Sequence, residues 1–362
     1  MKALIAMSGG VDSSVAAYLM KERGYECHGV MMRLFEPEDI LEKEAAANYS
    51  KCGSNRDAAD AARVAERLGI PFELADCKDS FEKCVIQPFI DTYRAGGTPN
   101  PCIECNRHMK FGGLLELAKE KGLDLISSGH YVRHVYDEDL DRHLLLRATD
   151  QSKDQSYVLY SLTQEQLART VFPLGDLTKA EVRQMAEALG FDNASKKESQ
   201  DICFVPDGDY AAFVERYTDQ LSPEGDFVTL DGEVLGRHKG IIRYTIGQRK
   251  GLGISSSAPL FVVGIDPEHN EVILSHDKGL FKRTVIIDDI NLISIPELSG
   301  EMRVSCKLRY RHKDQPAVIR PLGDSRIEII FDEEQRAPTK GQSAVIYDGD
   351  KVVGGGKICE AR

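Results

Sequence analysis

The most constraining feature of the sequence is residues 4–14, LIAMSGGVDSS, where an apolar run gives way to glycines, hydroxyls and one carboxylate. A helical pattern follows, with Val15 and Leu19 on one face and Gly24 at its end. This order predicts a strand, a tight loop and the start of a helix. Unpaired N–H groups at a helix start, together with the helix dipole, favour a bound anion. Residues 8–14, here called loop 8–14, are therefore a candidate phosphate site, although an ordinary strand–helix turn with a serine cap shows much of the same pattern.

The residue order of this loop narrows its chemistry. It is neither Gly-x-Gly-x-x-Gly nor Gly-x-x-x-x-Gly-Lys-Ser/Thr, and it has no lysine for a γ-phosphate. It resembles the SGGxDS loop of the ATP pyrophosphatases, which split ATP between the α and β phosphates. The resemblance implies that the loop holds pyrophosphate, that Asp12 helps to place Mg²⁺, and that a substrate oxygen is adenylated before AMP is displaced.

Charge and hydropathy limit the classes of function. The net charge of −12 argues against a chain coated by nucleic acid over its whole surface. Residues 281–362 hold 14 Lys and Arg against 13 Asp and Glu, so a polyanion is expected to dock through local basic patches. No apolar run reaches the roughly 20 residues of a membrane span. Few apolar residues precede Ser8, which does not fit a signal peptide, and we expect a cytoplasmic protein.

Strand and helix patterns alternate through the first part of the chain and predict an open parallel α/β sheet. The strand candidates after the first are residues 27–32, 70–75 and 123–127, and the helix candidates are 55–68, 81–93 and 109–121. Ligands of such sheets lie beyond the carboxyl ends of the strands, where Ser8, Met32 and Gly129 are expected. The acidic, weakly patterned residues 36–54 indicate an insertion or a mobile segment.

The pattern changes after Phe204, where glycine, proline and short apolar runs dominate. We predict a catalytic domain of the ATP-pyrophosphatase (adenine nucleotide alpha hydrolase-like) type over residues 1–218. A small β-rich domain is predicted over 219–280. Six regularly spaced short strands predict a C-terminal antiparallel β-barrel over 281–362.

A second chemical centre is residues 98–106, TPNPCIECN. Its two prolines predict a rigid loop that stays out of helix. Cys105 lies near the start of the following helix, close to Arg107 and His108, which favours a reactive thiolate. A buried structural cysteine is the ordinary alternative, but Cys-x-x-Cys in a proline-rich loop favours metal or redox chemistry. Cys203, flanked by Ile and Phe, would by itself indicate core, although Lys196 and Lys197 precede it.

The chain as a whole resembles the tRNA-specific 2-thiouridylases, which replace the C2 oxygen of the wobble uridine with sulfur. The resemblance runs almost from end to end. It is carried by residues 8–14, 100–110, 128–131, 153–157, 199–204, 244–253 and 309–311.

The resemblance implies a mechanism in two halves. ATP would bind at Ala6, Met7, Ser8, Gly9, Gly10, Val11, Asp12, Ser13, Met32 and Gly129. The uridine oxygen would attack the α-phosphate, giving an O-adenylated base and pyrophosphate. Cys203 would carry a persulfide received from a sulfur-relay protein or a cysteine desulfurase. Cys105 would release that sulfur, ending in a Cys105–Cys203 disulfide.

The resemblance also implies the nucleic-acid partner, tRNA of the Lys, Glu and Gln type with U34. Asn100, Pro101 and Cys102 would face the target base. The implied tRNA-binding positions are His130, Lys153, Asp154, Gln155, Arg309, Tyr310 and Gln342. Arginine is suited to phosphate, and tyrosine is suited to stacking on a base.

One departure from the family pattern leaves two mechanisms open. The commoner loop reads Asn-Pro-Asp, whereas this chain has Asn100, Pro101 and Cys102. With Cys105 and Cys203, Cys102 makes a set of three thiolates that would suit a 4Fe–4S cluster binding an extra sulfide. The sulfur would then arrive either as a persulfide or as sulfide on a cluster.

Two other classes of function remain as rivals. A GMP, NAD or argininosuccinate synthase would share loop 8–14 but would not need three cysteines or residues 309–311. A non-catalytic nucleotide- or RNA-binding module would release no pyrophosphate from ATP in the presence of unthiolated tRNA.

Overall fold

The computed structural model describes residues 1–37, 54–196 and 202–362. The interpretation of residues 36–54 as an insertion therefore falls largely outside the described residues. Lys197 and the first part of the motif at 199–204 also lie outside them. Within the described ranges, no helix is long and apolar enough to cross a membrane.

The N-terminal part of the chain forms a five-stranded parallel sheet in the order β3-β2-β1-β4-β7. Its strands are β1 (Lys2–Ala6), β2 (Glu26–Arg33), β3 (Phe72–Asp76), β4 (Leu125–Ser127) and β7 (Thr170–Val171). The strand order reverses at β1, so that β2 and β4 flank the strand that leads into loop 8–14. A parallel sheet with its ligand edge at this switch point confirms the predicted fold class.

Helices flank this sheet. They are α1 (Val11–Glu22), α2 (Asn55–Leu68), α3 (segments Lys78–Phe81, Glu82–Ile86 and Gln87–Arg94), α4 (segments Pro101–Glu104, Cys105–Gly113 and Leu114–Glu120), α5 (Gln164–Ala168), α6 (Lys179–Ala188) and α7 (Tyr210–Thr218). The middle segments of α3 and α4 are π-helical. Short 3₁₀ turns cover Ser156–Leu159, Ile241–Arg243 and Asp277–Gly279.

The helix predicted over residues 55–68 is α2, and its cap is Ser54, whose hydroxyl accepts the Asp57 N–H at 3.1 Å. One local expectation was wrong. Residues 101–106 are helical rather than a rigid loop, because Pro101 occupies the first position of α4. At that position the missing N–H costs nothing and the fixed φ favours a helix start.

The central part forms a four-stranded sheet in the order β10-β11-β8-β9. Its strands are β8 (Gly225–Val228), β9 (Val234–His238), β10 (Phe261–Asp266) and β11 (Glu271–Ser275). Short apolar runs lie in β8, β10 and β11, whereas β9 has two basic residues among its five.

The C-terminal part forms the predicted antiparallel barrel, β12-β15-β14-β13-β16-β17, which closes by pairing of β12 with β17. Its strands are β12 (Phe281–Leu292), β13 (Met302–Lys307), β14 (Gln315–Leu322), β15 (Arg326–Arg336), β16 (Ser343–Asp348) and β17 (Lys351–Ala361). A hairpin from the N-terminal part, β5 (Arg133–Asp137) and β6 (Arg142–Leu146), extends this sheet where Leu146 pairs with Lys351. The barrel is therefore joined directly to the parallel-sheet domain.

Apolar clusters also cross the boundaries between these parts. One contains Cys105 and Met109 of α4 together with Phe227 and Val262 of the central sheet. Another joins Leu4 of β1 to Tyr347 of the barrel. Apolar clusters shared in this way hold the three domains in a defined arrangement.

Candidate nucleotide and cysteine sites

Loop 8–14 depends on one glycine in particular. Gly9 has a φ of +72°, and a Cβ placed there would lie 2.3 Å from the carbonyl oxygen of Asp57 at the start of α2. No other residue fits that backbone and that close approach. Gly10, with φ near −92°, meets only the Ser8 hydroxyl at an ordinary 3.5 Å. The tight approach of loop to helix therefore requires the first of the two glycines.

The serines of the loop hold its shape. The Ser13 hydroxyl accepts the Ser8 N–H at 3.1 Å and donates to the Gly10 carbonyl at 3.0 Å, and the Ser14 hydroxyl donates to the same carbonyl at 3.0 Å. The first N–H groups of α1 have no intrahelical acceptor and carry the positive end of the helix dipole. The loop thus presents backbone donors to an anion while its side chains keep the turn closed.

Asp12 is held by two residues that come from further along the chain. Lys179, the first residue of α6 and buried, donates from Nζ to both carboxylate oxygens of Asp12 at 2.7 and 2.8 Å. The hydroxyl of Tyr131 donates to the same carboxylate at 2.7 Å, and the Lys179 cation lies 5.8 Å from the Tyr131 ring centroid. Sequence reasoning missed Lys179, because a lysine after a helix-capping threonine carries no signal of its own.

A second set of side chains supports the loop from behind. Asn193 donates to the Gly9 carbonyl at 3.1 Å and to the Ser14 hydroxyl at 2.9 Å. Lys196 donates to the Gly9 carbonyl at 3.3 Å and pairs with Asp57 and Asp60 of α2. Burial raises the pKa of the Asp57 carboxyl, and the hydrogen bond and charge of Lys196 act against that rise. The structure therefore engages Lys196 at loop 8–14, whereas the sequence suggested a role beside Cys203.

The remaining predicted nucleotide positions lie at the same sheet edge. Gly129 follows β4, and a Cβ placed on it would lie 2.8 Å from the backbone of Asp12 and Ser13. Met32 is near the end of β2 and packs against two apolar clusters. The edge thus combines loop 8–14 with the ends of the two neighbouring strands.

The cysteine helix, α4, presents its two thiols differently. Cys102 in the first turn is exposed, whereas Cys105 one turn later is buried. Cys105 belongs to the apolar cluster of α3, α4 and the central sheet, and the half-buried Cys203 packs against the same cluster. Surrounding protein raises the pKa of the Cys102 thiol by desolvation, and Lys110 acts in the opposite direction.

The two cations that follow Cys105 in sequence both have acidic partners. Arg107 pairs with Asp289 of β12 at 2.7 Å, and His108 lies 3.4 Å from Glu104 on its own helix. The Arg107 pair ties the cysteine helix to the barrel. Activation of the Cys105 thiol by these cations stays a prediction.

Several predicted tRNA positions are partly or wholly internal. Asp154 is buried and accepts the Ala148 N–H at 3.0 Å and the Ser156 hydroxyl at 2.7 Å. The Gln155 side chain accepts the Tyr131 N–H at 2.9 Å. His130 is buried with its Nδ1 2.9 Å from the Ser128 hydroxyl, and burial holds the pKa of its imidazole well below the ordinary range. Lys153, on the same turn, is half-buried.

On the barrel, the predicted contact Tyr310 is 39% exposed. Its ring centroid lies 6.0 Å from that of buried Tyr157, and the Lys307 cation lies 5.7 Å from the Tyr310 centroid. Burial lowers the pKa of both Lys307 and Arg309. An exposed aromatic ring beside partly desolvated cations is suited to an unstacked base and its phosphate.

Known proteins resemble this chain along its whole length. Residues 1–207 match the family described as tRNA methyl transferase HUP domain, 211–276 its PRC-barrel domain and 282–358 the aminomethyltransferase beta-barrel domain. The tRNA-specific 2-thiouridylase MnmA of Clostridioides difficile (strain 630) is 48% identical over 99% of this chain and 98% of its own length. The chain belongs to the tRNA-specific 2-thiouridylase family.

A second 2-thiouridylase relative, MnmA 1 of Caldanaerobacter subterraneus subsp. tengcongensis, is 50% identical over 99% of this chain and 97% of its own length. Among solved structures, a 4-thiouridine synthetase–RNA complex with bound ATP matches with 20% identity and a TM-score of 0.37. That match covers 60% of this chain and 53% of the other.

The side chains of the site fit Mg²⁺ better than they fit a 4Fe–4S cluster. Asp12 retains 28% exposure and is a single carboxylate, which suits Mg²⁺ held mainly by phosphate oxygens and water. The three cysteines fit a 4Fe–4S cluster poorly, since Cys102 is exposed and lies outside the apolar cluster that Cys105 and Cys203 share. In the part of the chain that the structure describes, no three His, Cys, Asp or Glu side chains form a metal-binding group.

Proposed function

We propose that this chain is an ATP-dependent tRNA 2-thiouridylase, a sulfurtransferase that adenylates the C2 oxygen of U34 and replaces it with sulfur. The observation that carries the proposal is the extent of the match. The match to a 2-thiouridylase, 48% identical, covers 99% of this chain and so includes the nucleotide edge, the cysteine helix and the barrel. A synthase that shared only loop 8–14 would not retain the other two regions.

In the activating step, loop 8–14 holds the β and γ phosphates of ATP. The N–H groups at the start of α1 bind the phosphate oxygens, and Lys179 supplies a buried positive charge beside them. Magnesium held by Asp12 and the phosphates would neutralise charge on the leaving pyrophosphate. The uridine oxygen bonds to the α-phosphorus as pyrophosphate departs, which converts that oxygen into part of an AMP leaving group.

In the sulfur step, the outer sulfur of a persulfide on Cys203 attacks C2 of the adenylated base, and AMP leaves with the original oxygen. The thiolate of Cys105 then attacks the Cys203 sulfur, releasing the 2-thiouridine and forming a Cys105–Cys203 disulfide. An external thiol reductant must reduce this disulfide before the next turnover. The shared apolar cluster supports this pairing, because desolvated thiolates are stronger nucleophiles than hydrated ones.

The partners follow from this chemistry. The nucleic acid is a tRNA of the Lys, Glu or Gln type whose U34 is unstacked from the anticodon, with Tyr310 and Arg309 on the barrel as contacts. The sulfur donor is a persulfide-bearing relay protein or a cysteine desulfurase. Sulfide delivery by a 4Fe–4S cluster remains the alternative that the test below addresses.

The test is a thiolation assay with unmodified tRNA, ATP, Mg²⁺ and a persulfide donor, comparing the wild type with Cys105→Ser and Cys203→Ser. Both variants should form no 2-thiouridine while still releasing pyrophosphate from ATP in the presence of tRNA. Cys359→Ser, which changes a half-buried thiol of the barrel, is the matched control and should behave as wild type.

Three outcomes would overturn parts of this proposal. Full 2-thiouridine formation by both cysteine variants would remove Cys105 and Cys203 from the sulfur step. No tRNA-dependent pyrophosphate release by the wild type would favour a binding module. About four irons per chain in anaerobically purified protein, with activity lost on their removal, would replace the persulfide by cluster-bound sulfide.

A further inference from the structure

The backbone leading into the cysteine helix lies where all three parts of the chain meet. On one side, a Cβ placed on Gly96 would lie 3.0 Å from the Ile265 side chain and 3.1 Å from Pro267 of the central domain. On the other side, the Thr98 N–H donates to the Lys340 carbonyl of the barrel domain at 2.8 Å. The approach to the helix is therefore fixed from two neighbouring domains.

Gln342 makes the most specific of these contacts. Its side-chain amide nitrogen donates to the Thr98 carbonyl at 3.0 Å and to the Pro99 carbonyl at 3.2 Å. An amide nitrogen carries two N–H donors, which is enough to serve two carbonyls of consecutive residues. Asn100, the residue before the helix, follows directly. Gln342 thus holds the last two peptide units before the cap of the cysteine helix.

Gly341, next to Gln342, shows how closely the barrel turn approaches residues 92–99. Gly341 has a φ of +88°, and a Cβ there would lie 2.7 Å from the Thr92 methyl and 3.1 Å from the Thr98 carbonyl oxygen. Only glycine allows this backbone and this contact. The barrel turn is therefore built to lie against residues 92–99.

The other end of this turn reaches the predicted tRNA surface. Arg309 donates from one guanidinium nitrogen to the Ala337 carbonyl at 2.5 Å and lies 3.4 Å from the Thr339 hydroxyl. The Ala337 N–H donates to the Leu280 carbonyl at 2.6 Å. Residues 337–342, here called the bridging segment, therefore run from Arg309 to the approach of the cysteine helix.

We propose that Gln342 is a positioning residue for Cys102 and Cys105, and that the bridging segment couples the Arg309 surface to the orientation of the cysteine helix. The proposal rests on the proposed function and refines it. Sequence resemblance implied that Gln342 contacts tRNA, whereas its amide donors here serve the Thr98 and Pro99 peptides. Loss of these bonds frees the backbone before the helix and moves the thiols relative to the activated base.

A tRNA-contacting role and a positioning role for Gln342 predict different kinetics. A tRNA contact contributes to binding, so its loss raises KM or Kd for tRNA. A positioning residue acts on the geometry of the sulfur step, where small displacements have large effects on rate. We therefore expect Gln342→Ala to lower the single-turnover rate of 2-thiouridine formation roughly 10- to 100-fold. The Kd for tRNA and the rate of pyrophosphate release should stay within about twofold of wild type.

Gln342→Met, which keeps the length of the side chain but has no donor, is the second variant and guards against loss of folding. Gln335→Ala is the matched control, because that amide donates to the Glu333 carbonyl within the same strand. A weaker tRNA Kd with an unchanged transfer rate would assign Gln342 to tRNA binding instead. Wild-type behaviour of both Gln342 variants would overturn the proposal entirely.

A substrate-free measurement separates this inference from the proposed function. Alkylation of Cys102 and Cys105 by iodoacetamide, followed by mass spectrometry over a range of pH, needs neither ATP nor tRNA. Both Gln342 variants should alkylate the buried Cys105 roughly tenfold faster than Gln335→Ala, since the helix start opens more often, and the exposed Cys102 serves as the internal reference. Equal Cys105 rates in all three proteins would contradict the positioning role even if the thiolation activity were confirmed.

Discussion

Loop 8–14 and the cysteine helix differ in what holds them. The loop is fixed from within its own domain, by the Asp57 backbone, Lys179 and Asn193. The start of the cysteine helix is fixed from outside, by Pro267 of the central domain and Gln342 of the barrel domain. The hydrogen bond from Gln342 to Thr98 spans 244 residues of sequence.

This difference teaches that the two half-reactions make different demands on the fold. Binding the phosphates of ATP needs a backbone cradle, which one strand, one loop and one helix supply. Moving sulfur to a base on a large RNA needs the thiols and the RNA surface in register, and those lie in different domains. Changes to the loop should therefore affect ATP use, and changes at the domain junction should affect sulfur transfer.

Replacing Lys179 is the strongest test of the loop side of this comparison. In Lys179→Met, Asp12 keeps its charge beside the phosphates and loses its buried cationic partner. Truncation of one member of such a pair costs about 2–5 kcal/mol in binding, so KM for ATP should rise roughly 30-fold or more. Pyrophosphate release as a function of ATP concentration gives this value.

Lys119→Met is the matched control for charge. Lys119 pairs with Glu116 and Glu165 on the surface, where solvent screens the charges. It should leave KM for ATP unchanged. A Lys179 variant with normal ATP use but weaker tRNA binding would break the comparison, because the loop would then serve the RNA side.

Gly9 before α1 and Gly24 after it test how far the stability of the protein depends on the shape of loop 8–14. Gly9 and Gly24 both have a positive φ, +72° and +83°, but only Gly9 has backbone within reach of a Cβ. Gly24→Ala should cost about 1–2 kcal/mol for the backbone conformation alone. Gly9→Ala should cost about 1–3 kcal/mol more, because the loop must move away from Asp57.

Urea unfolding of the two alanine variants measures this difference at equal strain in φ. Equal losses of stability would mean that loop 8–14 yields easily and that its approach to α2 is not required. A larger loss for Gly9→Ala, together with impaired pyrophosphate release, would show that the loop is built for one shape.

Much of the fold was predictable because its signals are local. Alternating strand and helix patterns identified the parallel sheet, and six evenly spaced apolar runs identified the barrel strands. The short β9, with Gly236 and two basic residues in five positions, carries no alternation and was missed as a strand. The addition of the hairpin β5–β6 to the barrel sheet depends on a pairing with β17 that sequence patterns do not encode.

In the candidate site, too, the local motif was predictable and the long-range contacts were not. Loop 8–14 was found because its backbone chemistry requires a particular residue order. Lys179 and Gln342 were not assigned these roles, because each acts on a partner far away in sequence. The prolines before Cys102 were misread for a related reason: the rule that proline breaks helices holds in the interior, and Pro101 lies at the first helical position.

The smallest expected effect on stability concerns the hairpin β5–β6, which links the nucleotide edge to the barrel. It follows Tyr131 at the nucleotide edge and ends beside the barrel. His134 and His143 stack there, with Nε2 of the first 3.0 Å from Nδ1 of the second. Burial, and then the neighbouring His143, lowers the pKa of His134 to about 4.

This shift makes the link sensitive to acid. Between pH 6.5 and about pH 4 the unfolded chain binds a proton at His134 that the folded chain does not, so stability falls as the pH drops through that window. His134→Phe should remove about 1–2 kcal/mol of the loss between pH 7 and pH 5. His269→Phe is the contrasting variant, because Asp266 raises the pKa of His269 and that residue favours the folded state in acid. Removing it should steepen the loss, and equal pH profiles for all three proteins would show that the hairpin does not contribute to the stability of the domain junction.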